Sequence, residues 1–175
     1  MSYAAVGATQ APDLLSYPPR GFRPVEQRYR IGHGDARFEH SCSMLLSWGV
    51  QEGSGMTVER VQPPSPGPVA PGDTVVLRIP VGPLRFRAPC RVIYLVEEPG
   101  RRGFAYGTLK GHPESGEVCF AVEQADDGLV WLAIRSFSRA STWYYRLASP
   151  AMRWVQRRYT RRYVAVLMRP LHSSA

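Results

Sequence analysis

The chain has 175 residues, 44% hydrophobic, 11% aromatic and 21% charged, a composition that sustains a packed core and excludes global disorder. No run of about 18 apolar residues is present, which excludes a membrane-spanning helix, and Met1 to Leu15 lacks the basic start and apolar stretch of a secretory signal. The net charge of +8 is concentrated: residues 1–134 hold 13 Lys and Arg with all 14 Asp and Glu, whereas residues 135–175 hold nine arginines and no acid. Cys42, Cys90 and Cys119 are widely spaced with no CxxC pair. That pattern fits free buried thiols in a reducing cytoplasm and neither a disulfide framework nor a zinc site.

Residues 1–24 are rich in Pro, Gly, Tyr and Ser and read as an irregular arm lying on the domain, with Tyr17-Pro18-Pro19-Arg20-Gly21 as a turn. Phe22 to Ile31 alternates as a strand. Gly32 to Asp35 breaks it, and Ala36 to Val50 places Phe38, Cys42, Leu45 and Leu46 on one side of a helix that Gly53-Ser54-Gly55 stops. Met56 to Val61 is a short strand, and Gln62 to Gly72 is a loop with five prolines. Strands are then expected at Thr74–Val81, Leu84–Val96, Gly103–His112, Glu117–Gln124 and Leu129–Ser138, separated by turn residues.

After Ser138 the period changes to that of a helix. Ser141 or Thr142 is placed to cap a short turn, and Ser149-Pro150 starts a long helix with Ser as N-cap. Met152, Val155, Tyr159, Tyr163 and Val166 form its apolar stripe, with Arg153, Arg157 and Arg161 opposite. Ala151 to Met168 spans about 27 Å as a helix, enough to cross a sheet. Strand, helix, hairpin-connected strands and a long amphipathic helix make an α+β domain. A curved antiparallel sheet of about seven strands wrapped around a C-terminal helix is the helix-grip arrangement of the START-like and Bet v 1-like proteins. The expected layout is an arm over residues 1–24, one domain over 25–170 and a tail over 171–175.

The stretch Gly103-Phe104-Ala105-Tyr106-Gly107-Thr108-Leu109-Lys110-Gly111-His112-Pro113-Glu114-Ser115-Gly116-Glu117 is more specific. It resembles the signature of the "domain of unknown function 1990" family of bacteria and plants. The resemblance extends to Tyr3 with Val6-Gly7-Ala8-Thr9, Arg30-Ile31-Gly32-His33-Gly34, Trp48, Cys90-Arg91-Val92, Phe137-Ser138-Arg139, Gln156 and Arg162-Tyr163. Val118 stands where the family tends to carry a second acid and Ala140 where it tends to carry a proline; the first argues against a paired-carboxylate mechanism. The resemblance implies a helix-grip domain and brings no activity with it.

Pro113 to Gly116 fits a hairpin loop that sets His112 opposite Glu117 on one side of the sheet. A carboxylate beside an imidazole suits a general acid or base, and equally a pair that fixes a turn. Strand parity groups Tyr106, Thr108 and His112 on one face, and the small Ala105 and Gly107 on the other, without deciding which looks inward. Arg139 is a candidate for bidentate binding of a carboxylate or phosphate, or for a salt bridge. Gln156, on the apolar side of the last helix, is expected as a buried amide that needs a partner. Tyr159 and Tyr163 share its stripe, as core or as ligand contacts. His33, His40, His112 and His172 show no metal-ligand spacing, and no P-loop, GxSxG or dinucleotide fingerprint is present, so no metal or cofactor is expected.

The first functional expectation is a binding module holding a small, largely apolar ligand between helix and sheet, with Tyr106, Thr108, Arg139, Gln156, Tyr159 and Tyr163 as candidate contacts. The second is a cofactor-independent cyclase, dehydratase or hydrolase using His112 and Glu117 as acid and base. The third is weak polyanion binding through the arginine-rich helix, with no specific nucleic acid. The oligomeric state is open.

Overall fold

The computed structural model describes residues 1–61, 67–141 and 149–171, and only the backbone of Ser149, Pro150 and Met152. The strands are β1 (Arg23–His33), β2 (Thr57–Arg60), β3 (Thr74–Val81), β4 (Leu84–Glu98), β5 (Arg101–Thr108), β6 (Glu114–Gln124) and β7 (Leu129–Ala140). The helices are α1 (Asp35–Leu46), α2 (Gly49–Gly53) and α3 (Ser149–Leu167). Every strand pair is antiparallel, in the order β1-β7-β6-β5-β4-β3-β2. Short turns explain the run from β3 to β7, since they leave the next strand no other neighbour, and β2 pairs with β3 although residues 61–73 lie between them. Only β1 departs from that order, and α1 with α2 carries the chain from its edge of the sheet to the other.

The sheet curves around α3, as the sequence order predicts for a helix-grip domain. Its concave face supplies Leu77, Phe104, Tyr106, Phe120, Val122, Leu132 and Ile134, which pack with Tyr159, Tyr163 and Leu167 of α3 and with Phe38, Cys42 and Leu45 of α1 in one core. The arm covers the convex face instead, where Tyr3, Leu14 and Phe137 form a second, smaller cluster with Phe22 against it. The face inward is therefore that of Phe104, Tyr106 and Thr108; Ala105 and Gly107 lie beneath the arm.

The single helix expected over Ala36–Val50 is two. Trp48 breaks it in a left-handed conformation at φ 66°, rare for a side chain other than glycine. The turn sends its indole into the core, edge-on to Phe104 at 4.8 Å between ring centroids. Burying that ring outweighs the backbone cost of a few kcal/mol at most. Gly53, expected to stop the helix, ends α2, and a Cβ there would lie 2.9 Å from Val166 Cγ1, so the missing side chain is what lets α2 lie on α3.

The β5–β6 turn also differs from expectation. β5 ends at Thr108 and β6 begins at Glu114, so the loop is Leu109 to Pro113 and His112 belongs to it, not to a strand. At Leu109 the backbone N–H turns to the carbonyl of Pro89, 2.9 Å away, and Gly111 takes φ 94°, a region glycine enters freely. The capping expected of Thr142, Ser149 and Pro150, the packing of Met152, part of the proline-rich loop, His172 and most of the tail fall outside the described residues.

Candidate functional site

Between α3 and the concave face lies a cavity of about 220 Å³. That is room for about seven waters at ~30 Å³ each, and less than the ~300–1,000 Å³ of drug-sized ligand sites. Leu77, Ile79, Val118, Phe120 and Ile134 give it an apolar wall, and Val155, Tyr159 and Tyr163 close it from the helix. His112, Glu114, Gln156, Ser136 and Ser138 add a polar set.

Each polar group has a local cause. The Glu114 N–H donates to His112 Nδ1 at 2.9 Å. Nδ1 is thus an acceptor, and the ring's single proton sits on Nε2. Burial, which penalises the imidazolium, pushes the His112 pKa down to about 4. Glu114 lies on the same face as Val118 and Phe120, an even number of residues away. Burial raises its pKa above its ordinary value, opposed by the Gln156 side chain, whose Nε2 donates to both carboxylate oxygens at 2.9 and 2.8 Å. Tyr159 donates to the Pro80 carbonyl at 2.7 Å and Tyr163 to Met56 Sδ at 3.7 Å. Among the described residues, neither the Tyr106 hydroxyl nor His112 Nε2 has a hydrogen-bond partner.

The structure separates the expected His112–Glu117 pair. Glu117 is opposite Gly107, one residue out of step with the inward set, and its carboxylate is taken up by the arm. It accepts from the Tyr3 hydroxyl at 2.6 Å, the Gly7 N–H at 2.8 Å, the Thr9 N–H at 3.1 Å and the Thr9 hydroxyl. Gly107 makes room for this: a Cβ there would lie 2.1 Å from Tyr3 Oη. The close approach foreseen for this small-residue face is made by the arm, not by a helix or ligand.

Three other candidates sit differently from expectation. Arg139 projects from the convex face, exposed, with its guanidinium 4.5 Å from the Phe22 ring centroid and away from the cavity. Thr108 touches the cavity, yet its hydroxyl is engaged by Ser2 Oγ at 2.6 Å and by the backbone N–H and carbonyl of Gly116. Gln156 is exposed, not buried, its amide folded onto Glu114. Tyr106, Tyr159 and Tyr163 do converge on the cavity. Glu114 is the residue that sequence reasoning missed, although its parity with Phe120 and its place two residues after His112 were both available.

Cys42, Cys90 and Cys119 are buried and free, and burial pushes the Cys42 thiol up to about 11 and raises the other two. Among the described residues no three His, Cys, Asp or Glu side chains come together as a metal would require, and no helix is long and apolar enough to cross a membrane.

Residues 2–166 match the family described as "Domain of unknown function (DUF1990)". A UPF0548 protein of Deinococcus radiodurans is 36% identical over 180 residues, covering 96% of this chain and 86% of that protein. UPF0548 protein At2g17695 of Arabidopsis thaliana is 26% identical over 160 residues, covering 88% and 76%. Among solved structures, hypothetical protein jhp0584 of Helicobacter pylori superposes with TM-score 0.56 at 10% identity, covering 87% of this chain and 91% of that one. Ara h 8.0201 gives 0.55 at 11% over 85% and 100%, and the Panax ginseng major latex-like protein 151 gives 0.53 at 13% over 85% and 99%. At such identities the likeness is one of fold alone, and that fold is the helix-grip. By the match over residues 2–166 and the 36% identity with the Deinococcus protein, the chain belongs to the DUF1990 family.

Proposed function

We propose that the protein is a binding module for a small, largely apolar ligand seated between α3 and the concave face of the sheet. The observation that carries this reading is an apolar-walled cavity into which a buried tyrosine, Tyr106, and His112 bring hydrogen-bonding atoms that have no partner among the described residues. Both atoms open onto the cavity and are not sealed in the core, so an entering ligand can reach and pair them. Cytoplasmic residence belongs to the same reading and rests on the three free thiols, as does the division into an arm, a single domain over 25–170 and a tail.

Filling the cavity is the test. In Ser136→Phe a ring enters from β7, and the variant is expected to bind small apolar probes at least about tenfold more weakly while keeping its fold. Native mass spectrometry of freshly purified protein, with circular dichroism as the fold control, reads both. Equal binding by wild type and variant contradicts the reading.

An acid–base enzyme is the second reading. His112 and Glu114 both line the cavity, whereas the Glu117 carboxylate is taken up by Tyr3, Gly7 and Thr9 of the arm. His112 and Glu114 are therefore the pair this reading uses, and a ligand recovered chemically altered would favour it over simple binding.

The arginine-rich helix has a lesser part. Arg157, Arg158 and Arg161 are exposed, as is Trp154, which has the Arg158 guanidinium 5.5 Å from its ring centroid. Among the described residues of the helix Trp154 is the one exposed ring, and one ring does not make a platform for stacking successive bases. Polyanion binding is therefore expected to be weak, indifferent to sequence and lost near 0.15 M salt, where the Debye length is about 8 Å. Retention on heparin across a salt gradient measures it; tight binding to a defined nucleic acid at that salt would contradict it.

A further inference from the structure

The cavity's polar groups specify more than a polar end. Glu114 presents a carboxylate whose oxygens receive one amide, that of Gln156, leaving lone pairs for a further donor. Beside it in sequence, His112 presents Nε2–H, since Nδ1 is occupied by the Glu114 N–H. A ligand head that satisfies both must donate to an acid and accept from an imidazole. Ser136 and Ser138 line the same cavity and either donate or accept, so they do not restrict the choice.

The charges are as selective as the hydrogen bonds. The chain carries 22 Lys and Arg, and none is among the described residues lining the cavity. A bound carboxylate or phosphate would meet Glu114 and a neutral imidazole with no cation among the described lining residues to offset it, at the dielectric of a half-closed site. An ammonium would suit Glu114 but has no lone pair for His112 Nε2–H. A methyl ether would accept from His112 and donate nothing. A hydroxyl does both.

We propose that the cavity selects a neutral alcohol or phenol on a small apolar body, its hydroxyl donating to the Glu114 carboxylate and accepting from His112 Nε2, and that it rejects the corresponding carboxylic acids. The selection rests on the binding-module reading above and names its ligand class. The volume of about 220 Å³ limits the body, on the order of ten non-hydrogen atoms. The rings of Tyr106, Phe120, Tyr159 and Tyr163 are the surfaces against which it would lie.

The test compares three probes of matched length, 1-octanol, sodium octanoate and 1-methoxyheptane, titrated calorimetrically into the full chain at pH 7.5. Octanol is expected to bind at least about tenfold more tightly than either other probe. In Glu114→Gln the repulsion of octanoate is gone, and the gap between octanol and octanoate is expected to narrow by about tenfold. Thermal melts confirm that the variant is folded. Octanoate binding as well as octanol, or the ether binding as well as octanol, overturns the hydroxyl selection while leaving the binding module standing. An unchanged octanol–octanoate gap in folded Glu114→Gln overturns the part assigned to Glu114. Failure of all three probes to bind overturns the selection, and if the Ser136→Phe comparison is also flat it removes the binding reading with it.

Discussion

Replacing Glu117 by Gln is expected to cost about 3–5 kcal/mol of folding stability, since two buried neutral donors lose their acceptor at about 1–3 kcal/mol each. At this chain length about 2–4 °C of melting temperature follows each kcal/mol, so the midpoint should fall by about 6–20 °C. The reason is geometric. Oε2 accepts from the Tyr3 hydroxyl and the Gly7 N–H, and Oε1 from the Thr9 N–H and hydroxyl. An amide puts an NH₂ group against two of those donors and removes the charge that strengthens the others. Tyr3→Phe takes away one partner only, an expected loss of about 1.5–3 kcal/mol. Chemical denaturation gives both numbers, and hydrogen exchange at the Gly7 and Thr9 amides shows whether the arm has left the sheet. A loss below about 1 kcal/mol in Glu117→Gln would mean that this carboxylate does not hold the arm. Because Glu117 is turned to the convex face, probe affinity of the folded variant should stay at the wild-type level.

The part given to Glu117 marks where sequence reasoning stopped. Hydrophobic periodicity carried the strands, the long helix and hence the helix-grip order, because each element buries one face and the pattern records it. The β3 bounds Thr74–Val81 are those expected, although Val75, Val76 and Leu77 are buried in succession and do not alternate. A register has no such redundancy: moving a turn by a few residues re-pairs a strand. Reading Pro113 to Gly116 as the loop kept His112 in a strand and set it opposite Glu117, whereas the Leu109–Pro89 bond and Gly111 end β5 four residues sooner. The arm was legible as irregular but not as a ligand for Glu117, since bonds from Tyr3, Gly7 and Thr9 span more than a hundred residues and leave no local pattern. Trp48 shows the same limit from the other side: helix periodicity continues through it, and only its packing on Phe104 and Tyr106 explains why the helix breaks there.

Acidification is expected to destabilise the fold through His112. Its pKa lies near 4 in the folded protein against about 6.5 when unfolded. Between those values the unfolded chain binds the additional proton, so stability rises with pH across the window. The contribution is complete above about pH 6.5 and is lost as pH falls toward 4, for a total of about 3 kcal/mol from a displacement of about 2.5 units. Glu114 works in the opposite direction. Burial raises its folded pKa, so the folded state takes up a proton before the unfolded chain does, and acid relieves part of the strain of keeping that carboxylate buried. The two groups share the cavity, and variants at each separate them. His112→Asn keeps an acceptor for the Glu114 N–H and does not titrate, so its stability between pH 7 and 4.5 should fall less than wild type. Glu114→Gln removes the offset and should fall more steeply. Urea denaturation midpoints across that range decide the matter: parallel curves for wild type and His112→Asn would show that the imidazole is not held neutral by burial, and a Glu114→Gln curve shallower than wild type would reverse the sign assigned to the carboxylate.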